Sequence, residues 1–91
     1  MSYEVVIGPR VRKSFKAIPR KCQTLILLKL NKLKENPRPS GCKKLKPQED
    51  LYRIRIGEYR VIYEIKDSKL IVIIVKIGNR KNIYKEYGRA V

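Results

Sequence analysis

The run from Leu51 to Ile77 constrains this chain most. Apolar residues there recur at every second position, and the pattern breaks at Gly57-Glu58 and again at Asp67-Ser68. A side-chain period of two belongs to strands with one buried face, and a two-residue break opening on glycine suits a tight hairpin. The segment predicts three strands, Leu51–Ile56, Tyr59–Ile65 and Leu70–Ile77, joined by two turns. A two-residue turn at Gly57-Glu58 fixes a register that places Arg55 opposite Arg60, Arg53 opposite Ile62 and Tyr52 opposite Tyr63. Alternation then assigns Tyr52, Ile54, Ile56, Tyr59, Val61 and Tyr63 to one face and Arg53, Arg55 and Arg60 to the other. The same rule at Asp67-Ser68 predicts Val61 opposite Ile74, Tyr63 opposite Val72 and Arg60 opposite Val75. It also leaves Lys76 on the apolar face opposite Tyr59, a misfit unless its stem bends outward at the sheet's end.

Upstream, Tyr3–Ile7 is a β-branched run ending at the Gly8-Pro9 turn. Val11, Phe15 and Ile18 follow at the spacing of one helical face. Pro19 is suited to the start of a second helix, Arg20–Glu35, with Cys22, Leu25, Ile26, Leu30 and Leu33 as its apolar stripe. Lys21, Lys29, Lys32 and Lys34 lie outside that stripe, and Asn36-Pro37 ends the helix. Arg38–Asp50, rich in proline and carrying Lys43, Lys44 and Lys46, reads as a loop. The basic tail from Gly78 to Val91, with Tyr84 and Tyr87, reads as a short helix or an ordered arm. The order βααβββ predicts a single α+β domain over 1–91, an antiparallel sheet with an N-terminal helical hairpin packed on one face.

Composition narrows the chemistry. Lys and Arg number 23 against 8 Asp and Glu, a formal charge of +15, and the chain has no histidine. The lack of histidine excludes Ser-His-Asp and Cys-His catalysis, His-ligated zinc and the two-histidine route to RNA cleavage. The carboxylates are scattered, which disfavours a two-metal nuclease. No metal or other cofactor is expected, and proton transfer must use Tyr, Lys or a carboxylate. Cys22 and Cys42 read as a helix core position and a loop thiol, both reduced. The longest apolar run, Leu70–Val75, is too short to span a membrane, and Met1–Arg10 lacks a signal core, so a cytoplasmic protein is expected.

Such a charge excess points to a polyanion, with nucleic acid ahead of an anionic membrane or an acidic protein. Arginines alternating with isoleucines are, taken alone, what a solvated sheet face contains. The opposed Arg55 and Arg60 add repulsion with no structural reason, which an anion lying between them would relieve. Lys43, Lys44 and Lys46 suit solvated loop charges or phosphate anchors better than catalysts.

The stretch Lys44–Tyr84, with its KLK loop, YRIRIGEYRVIYEI, an apolar strand and a terminal GNRKNIY, resembles the RelE/ParE superfamily of toxin-antitoxin systems. The upstream strand and helical hairpin match as well. The resemblance implies a RelE-like fold and a ribosome-dependent, metal-independent mRNA endonuclease that cuts in the A site by attack of a 2′-hydroxyl on the adjacent phosphate. It assigns Arg53, Arg55, Arg60, Arg80 and Tyr84 to the catalytic surface, with Tyr87 as the alternative tyrosine, and Lys44, Lys46 and Lys81 to RNA binding. The family's best-known members carry lysines where this chain has Arg53 and Arg55, and arginine is a poor proton acceptor. The implied partners are a small acidic RelB-like antitoxin, the ribosome and mRNA, with no small-molecule ligand. Two rival readings are a ParE-like inhibitor of DNA gyrase that cuts nothing and a basic RNA-binding domain without activity.

Overall fold

The computed structural model describes residues 2–46 and 49–88. Pro47 of the predicted loop and residues 89–91 of the predicted tail lie outside that range. The chain runs β1 (Glu4–Ile7), α1 (Pro9–Lys16), α2 (Arg20–Leu33), β2 (Lys43–Lys44), β3 (Leu51–Ile56), β4 (Tyr59–Lys66), a 3₁₀ turn (Asp67–Lys69), β5 (Ile71–Asn79) and α3 (Arg80–Tyr87). The α+β class and the helical hairpin on one sheet face agree with expectation. Gly57 takes a φ of 59°, which the first position of a Gly-led hairpin turn requires, and the β3–β4 register is the predicted one, Arg55 opposite Arg60 included.

Beneath the hairpin lies the main core. Val72, Ile65, Val61, Tyr63, Ile26 and Leu33 are fully buried, with Tyr52, Ile54, Ile56 and Ile74 around them. Pro9 opens α1, where its missing N–H costs nothing, and the Gln23 side chain of α2 donates to the Ile18 carbonyl at 2.7 Å, closing the α1–α2 corner. Leu25, predicted within the apolar stripe of α2, is 55% exposed. A helix lying on a sheet buries only the side that meets the strands, and Leu25 falls beyond its edge.

Three features differ from the predicted sheet. The five strands lie in the order β1-β5-β4-β3-β2, and β1 pairs with β5 in parallel, so the sheet is mixed. After β1 the chain crosses the sheet through two helices and three strands before β5 returns alongside it, and alternation along a strand carries no sign of partner direction. The predicted loop also contains a short strand, β2, whose Lys43 and Lys44 pair with Arg53 and Tyr52.

The third difference is the β4–β5 register. The connection is a 3₁₀ turn ending in Leu70 at φ 54°, rather than a two-residue turn. The left-handed Leu70 is held from both sides: its N–H donates to Asp67 O at 3.2 Å, and its carbonyl accepts from Glu4 N at 2.8 Å. Tyr63 therefore faces Ile74 instead of Val72. Between Ile62 and Tyr63 the register shifts again, because Val75 is an extra residue on β5. The bulge turns Lys76 away from the helical hairpin to pair with Ile62. Val61 then meets Ile77 and Arg60 meets Gly78, in place of the predicted Ile74 and Val75.

A polar cluster ties the segment after α2 to this turn. Arg38 donates to both Asp67 carboxylate oxygens, at 3.1 and 2.8 Å, and through Nε to the Tyr52 hydroxyl at 3.0 Å. Tyr3 donates its hydroxyl to Asp67 Oδ1 at 2.7 Å. The Arg38 and Tyr3 hydrogen bonds hold the Asp67 carboxyl down to about 2, from an ordinary 3.8. A carboxyl depressed in the folded state stabilises it above the unfolded pKa, and the contribution fades as pH falls through the folded one. Asp67→Asn is therefore expected to lower Tm at pH 7. The gap between variant and parent should close as pH is taken from 4 towards 2 in thermal melts followed by circular dichroism.

Candidate nucleic-acid interface

The face of the sheet opposite the helical hairpin carries the arginines, in rows set by strand register. One row reads Lys43, Arg53, Ile62, Lys76 across β2, β3, β4 and β5; the next reads Arg55, Arg60, Gly78. This face is not the solvated surface that alternation alone suggests. Arg53 is only 2% exposed and Arg60 9%. Neither makes an ion pair among the described residues, and the Nε of each is buried without a hydrogen-bond acceptor. Arg60 Nη1 donates to the Gly57 and Tyr59 carbonyls, both at 3.0 Å, so the guanidinium is anchored beneath the β3–β4 turn. Burial, followed by the like charges of Arg55 and Arg80, pushes the Arg60 pKa down, while Glu58 pulls the other way. Burial, then Arg55 and Arg60, lowers that of Arg53. Arginine nevertheless keeps its charge at neutral pH, so the face holds fixed positive charge.

Helix α3 supplies the rest. The Asn79 side chain accepts from Lys81 N at 3.0 Å and caps the helix, and Arg80 N donates to Glu58 O at 2.8 Å, tying α3 to the β3–β4 turn. Ile83, fully buried, is the helix's apolar anchor on β4 and β5. A Cβ at Gly78 would come within 3.1 Å of the Ile83 side chain, so the glycine allows this close seat. Lys76 pairs with Glu86 across the same contact.

Between α3 and Arg60 lies an open groove of about 490 Å³ lined by Arg60, Arg80, Lys81, Tyr84 and Lys85. Of the residues predicted for the site, Arg60, Arg80, Tyr84 and Lys81 meet here. Tyr84 lines the groove, and Tyr87 is not among its lining residues. Arg53 and Arg55 line a second cavity, and the cross-strand pair Arg55–Arg60 joins the two. Lys44 faces the other way, its ammonium 5.8 Å from the Tyr52 ring, and Lys46 lies near Glu49 at 3.9 Å; neither lines the groove or the second cavity. Lys85 was not anticipated, although Lys81, Tyr84 and Lys85 have the spacing of a single helix face.

Four cations around a tyrosine ring, with no carboxylate in the lining, can bind a phosphodiester and stack a base. Glu58 is the nearest internal competitor, 3.1 Å from Arg80 Nε, in an exposed pair that contributes little to stability. The described residues contain no group of His, Cys, Asp or Glu able to hold a metal ion, and no helix among them is long and apolar enough to cross a membrane.

A small mixed sheet with a helical hairpin on one side and a cationic groove under α3 on the other defines a basic α+β domain built to meet an anion. Residues 5–84 match the family described as the ParE toxin of type II toxin-antitoxin systems. This chain belongs to that family and is a RelE-like toxin of a type II toxin-antitoxin system. It is 36% identical over 88 residues to a chain named as toxin RelE1 of Methanocaldococcus jannaschii, covering 93% of this chain and 98% of that one. It is 27% identical over 90 residues to the mRNA interferase toxin RelE of Escherichia coli K12, covering 94% of each. Among solved structures, the archaeal RelE-RelB complex from Pyrococcus horikoshii contains a chain that superposes with a TM-score of 0.80 at 32% identity, covering 88% of this chain and 97% of that one.

Ile83→Ala is expected to undock α3 while leaving the sheet intact. Removing a buried isoleucine side chain costs roughly 2–4 kcal/mol, and here that loss falls on a single eight-residue helix. Hydrogen exchange should accelerate across 80–87 with the strand amides still protected.

Proposed function

We propose that this toxin is an endoribonuclease that cleaves mRNA on the ribosome, and that the groove under α3 holds the scissile phosphate. The observation that carries the reading is the buried Arg60 guanidinium, without an ion pair among the described residues and with its Nε lacking an acceptor, at a groove shared with Arg80 and Tyr84. The E. coli relative named as an mRNA interferase supports the class of reaction.

In the proposed step the RNA 2′-oxygen attacks the adjacent phosphorus while its proton passes to water. The bond from phosphorus to the 5′-oxygen breaks, leaving a 2′,3′-cyclic phosphate and a 5′-hydroxyl. Negative charge grows on the non-bridging oxygens as the transition state forms. Arg60, held rigidly by two backbone carbonyls, and Arg80 meet that charge without reorganising, which favours the transition state over the bound substrate. Tyr84 stacks a base or passes a proton to the departing 5′-oxygen. Lys81 binds backbone phosphate, Arg55, opposite Arg60, polarises the nucleophile, and Arg53 extends the basic track. No side chain of the groove is an ordinary general base, so the ribosome is assigned the task of orienting the 2′-hydroxyl, and naked RNA is expected to be cut poorly. The partner that silences the toxin is a RelB-like antitoxin, acidic enough to match a charge of +15; the P. horikoshii relative is described in complex with RelB.

The match to a family named for ParE keeps gyrase inhibition as a second reading. Translating ribosomes incubated with the protein, followed by mapping of mRNA 5′ ends, separate the two. A-site cuts are expected, falling about 100- to 1,000-fold in Arg60→Ala and Arg80→Ala with unchanged circular dichroism. Inhibition of gyrase supercoiling without cuts, or undiminished cutting by both variants, would overturn the proposal.

A further inference from the structure

Strand β2 covers only Tyr52 and Arg53 of β3, so from Ile54 onward that edge of the sheet has no neighbouring strand among the described residues. A cavity of about 330 Å³ opens there, between α2 and the segment around Gly41. Five of its nine lining residues are the cations Lys29, Lys32, Lys43, Arg53 and Arg55, and none is a carboxylate. Three separate elements, α2, β2 and β3, converge to place them. Like charges gathered this way repel, and the helix could have met the sheet edge with any polar residue.

Arg53 is the least explained group in the cavity wall. At 2% exposure its guanidinium has one long hydrogen bond, Nη1 to the Gly41 carbonyl at 3.4 Å, and its Nε has no acceptor. A guanidinium offers five N–H donors in a planar fork that matches the oxygens of a phosphate, and a buried one left so poorly paired is costly. A phosphate in the cavity, met by Arg53 with Lys29 and Lys32 closing from the helix side, would give the guanidinium the anionic partner it lacks.

We infer that this cavity is a second phosphate subsite, which takes the sugar-phosphate backbone of a single-stranded nucleic acid already engaged under α3. Continuity selects a strand over a lone anion: Arg55 lines this cavity, its cross-strand partner Arg60 lines the groove, and together they make one uninterrupted cationic track. The inference rests on the proposed function only for the source of the phosphate. In this arrangement Arg53 holds the strand at a distance from the reacting bond.

The test follows the Arg53 Nε–Hε signal in ¹H–¹⁵N spectra during titration with two probes, a 2′-O-methyl octaribonucleotide that cannot be cleaved and inorganic phosphate. The octanucleotide should move the signal, and K29A/K32A, altered on the outer side of α2, should weaken its binding about tenfold. The double variant should also reduce the slope of log affinity against log salt by about 1, since each phosphate contact contributes roughly 0.7 on single strands. Inorganic phosphate should need at least a hundredfold higher concentration to produce the same shift. An Arg53 signal unmoved once the Tyr84 resonances report a filled groove would overturn the subsite. So would unchanged affinity in K29A/K32A, and equal affinity for inorganic phosphate would overturn the strand as its source. A shifted Arg53 signal in a protein that cuts no message supports the subsite and defeats only the nuclease.

Discussion

Two guanidinium groups lie buried in one face of a small sheet with no ion pair to a carboxylate among the described residues, and the rest of this structure is arranged around that fact. Burying a charge costs several kcal/mol unless partners replace the lost water, and arginine cannot escape by giving up its proton. Backbone carbonyls meet part of the requirement, at Gly57 and Tyr59 for Arg60 and weakly at Gly41 for Arg53. The opposite face carries the compensating apolar core, packed under the helical hairpin. Stability and binding chemistry are thus segregated to the two sides of one five-stranded sheet.

The bulge at Val75 makes that segregation possible. One extra residue on β5 reverses the alternation from Lys76 onward, so Ile77 stays in the core while Lys76 and Gly78 reach the arginine face. Gly78 then lies opposite Arg60 and offers the flat seat that Ile83 requires. Without the shift, Lys76 would enter the apolar core and α3 would lose its anchor. A local irregularity in hydrogen bonding therefore determines where Arg80, Lys81, Tyr84 and Lys85 stand relative to Arg60.

The two cavities share a wall at the Arg55–Arg60 pair. Opposed like charges are unfavourable in an isolated hairpin and become favourable when an anion lies between them. A surface of this kind discriminates by charge and by the spacing of anions more than by base identity.

Much of this was legible from sequence. Period-two alternation and Gly57-Glu58 specified the β3–β4 hairpin to the residue, because a turn of known length leaves one register that keeps the apolar set together. Arg53, Arg55 and Arg60 followed from the same parity, and Arg80, Lys81 and Tyr84 from resemblance. Alternation could not show the parallel partner of β1, since hydrophobic pattern does not encode strand direction, nor the bulge at Val75, since β5 is apolar on both faces and tolerates a slip. Lys29 and Lys32 read as solvated helix charges, because nothing local reveals that α2 brings them to the edge of β3. Amino-acid order by itself determined the hairpin, the helical pair and the excess of positive charge. Only tertiary structure decided which cations converge and which are buried, because those depend on strand neighbours and helix docking brought together from distant parts of the chain.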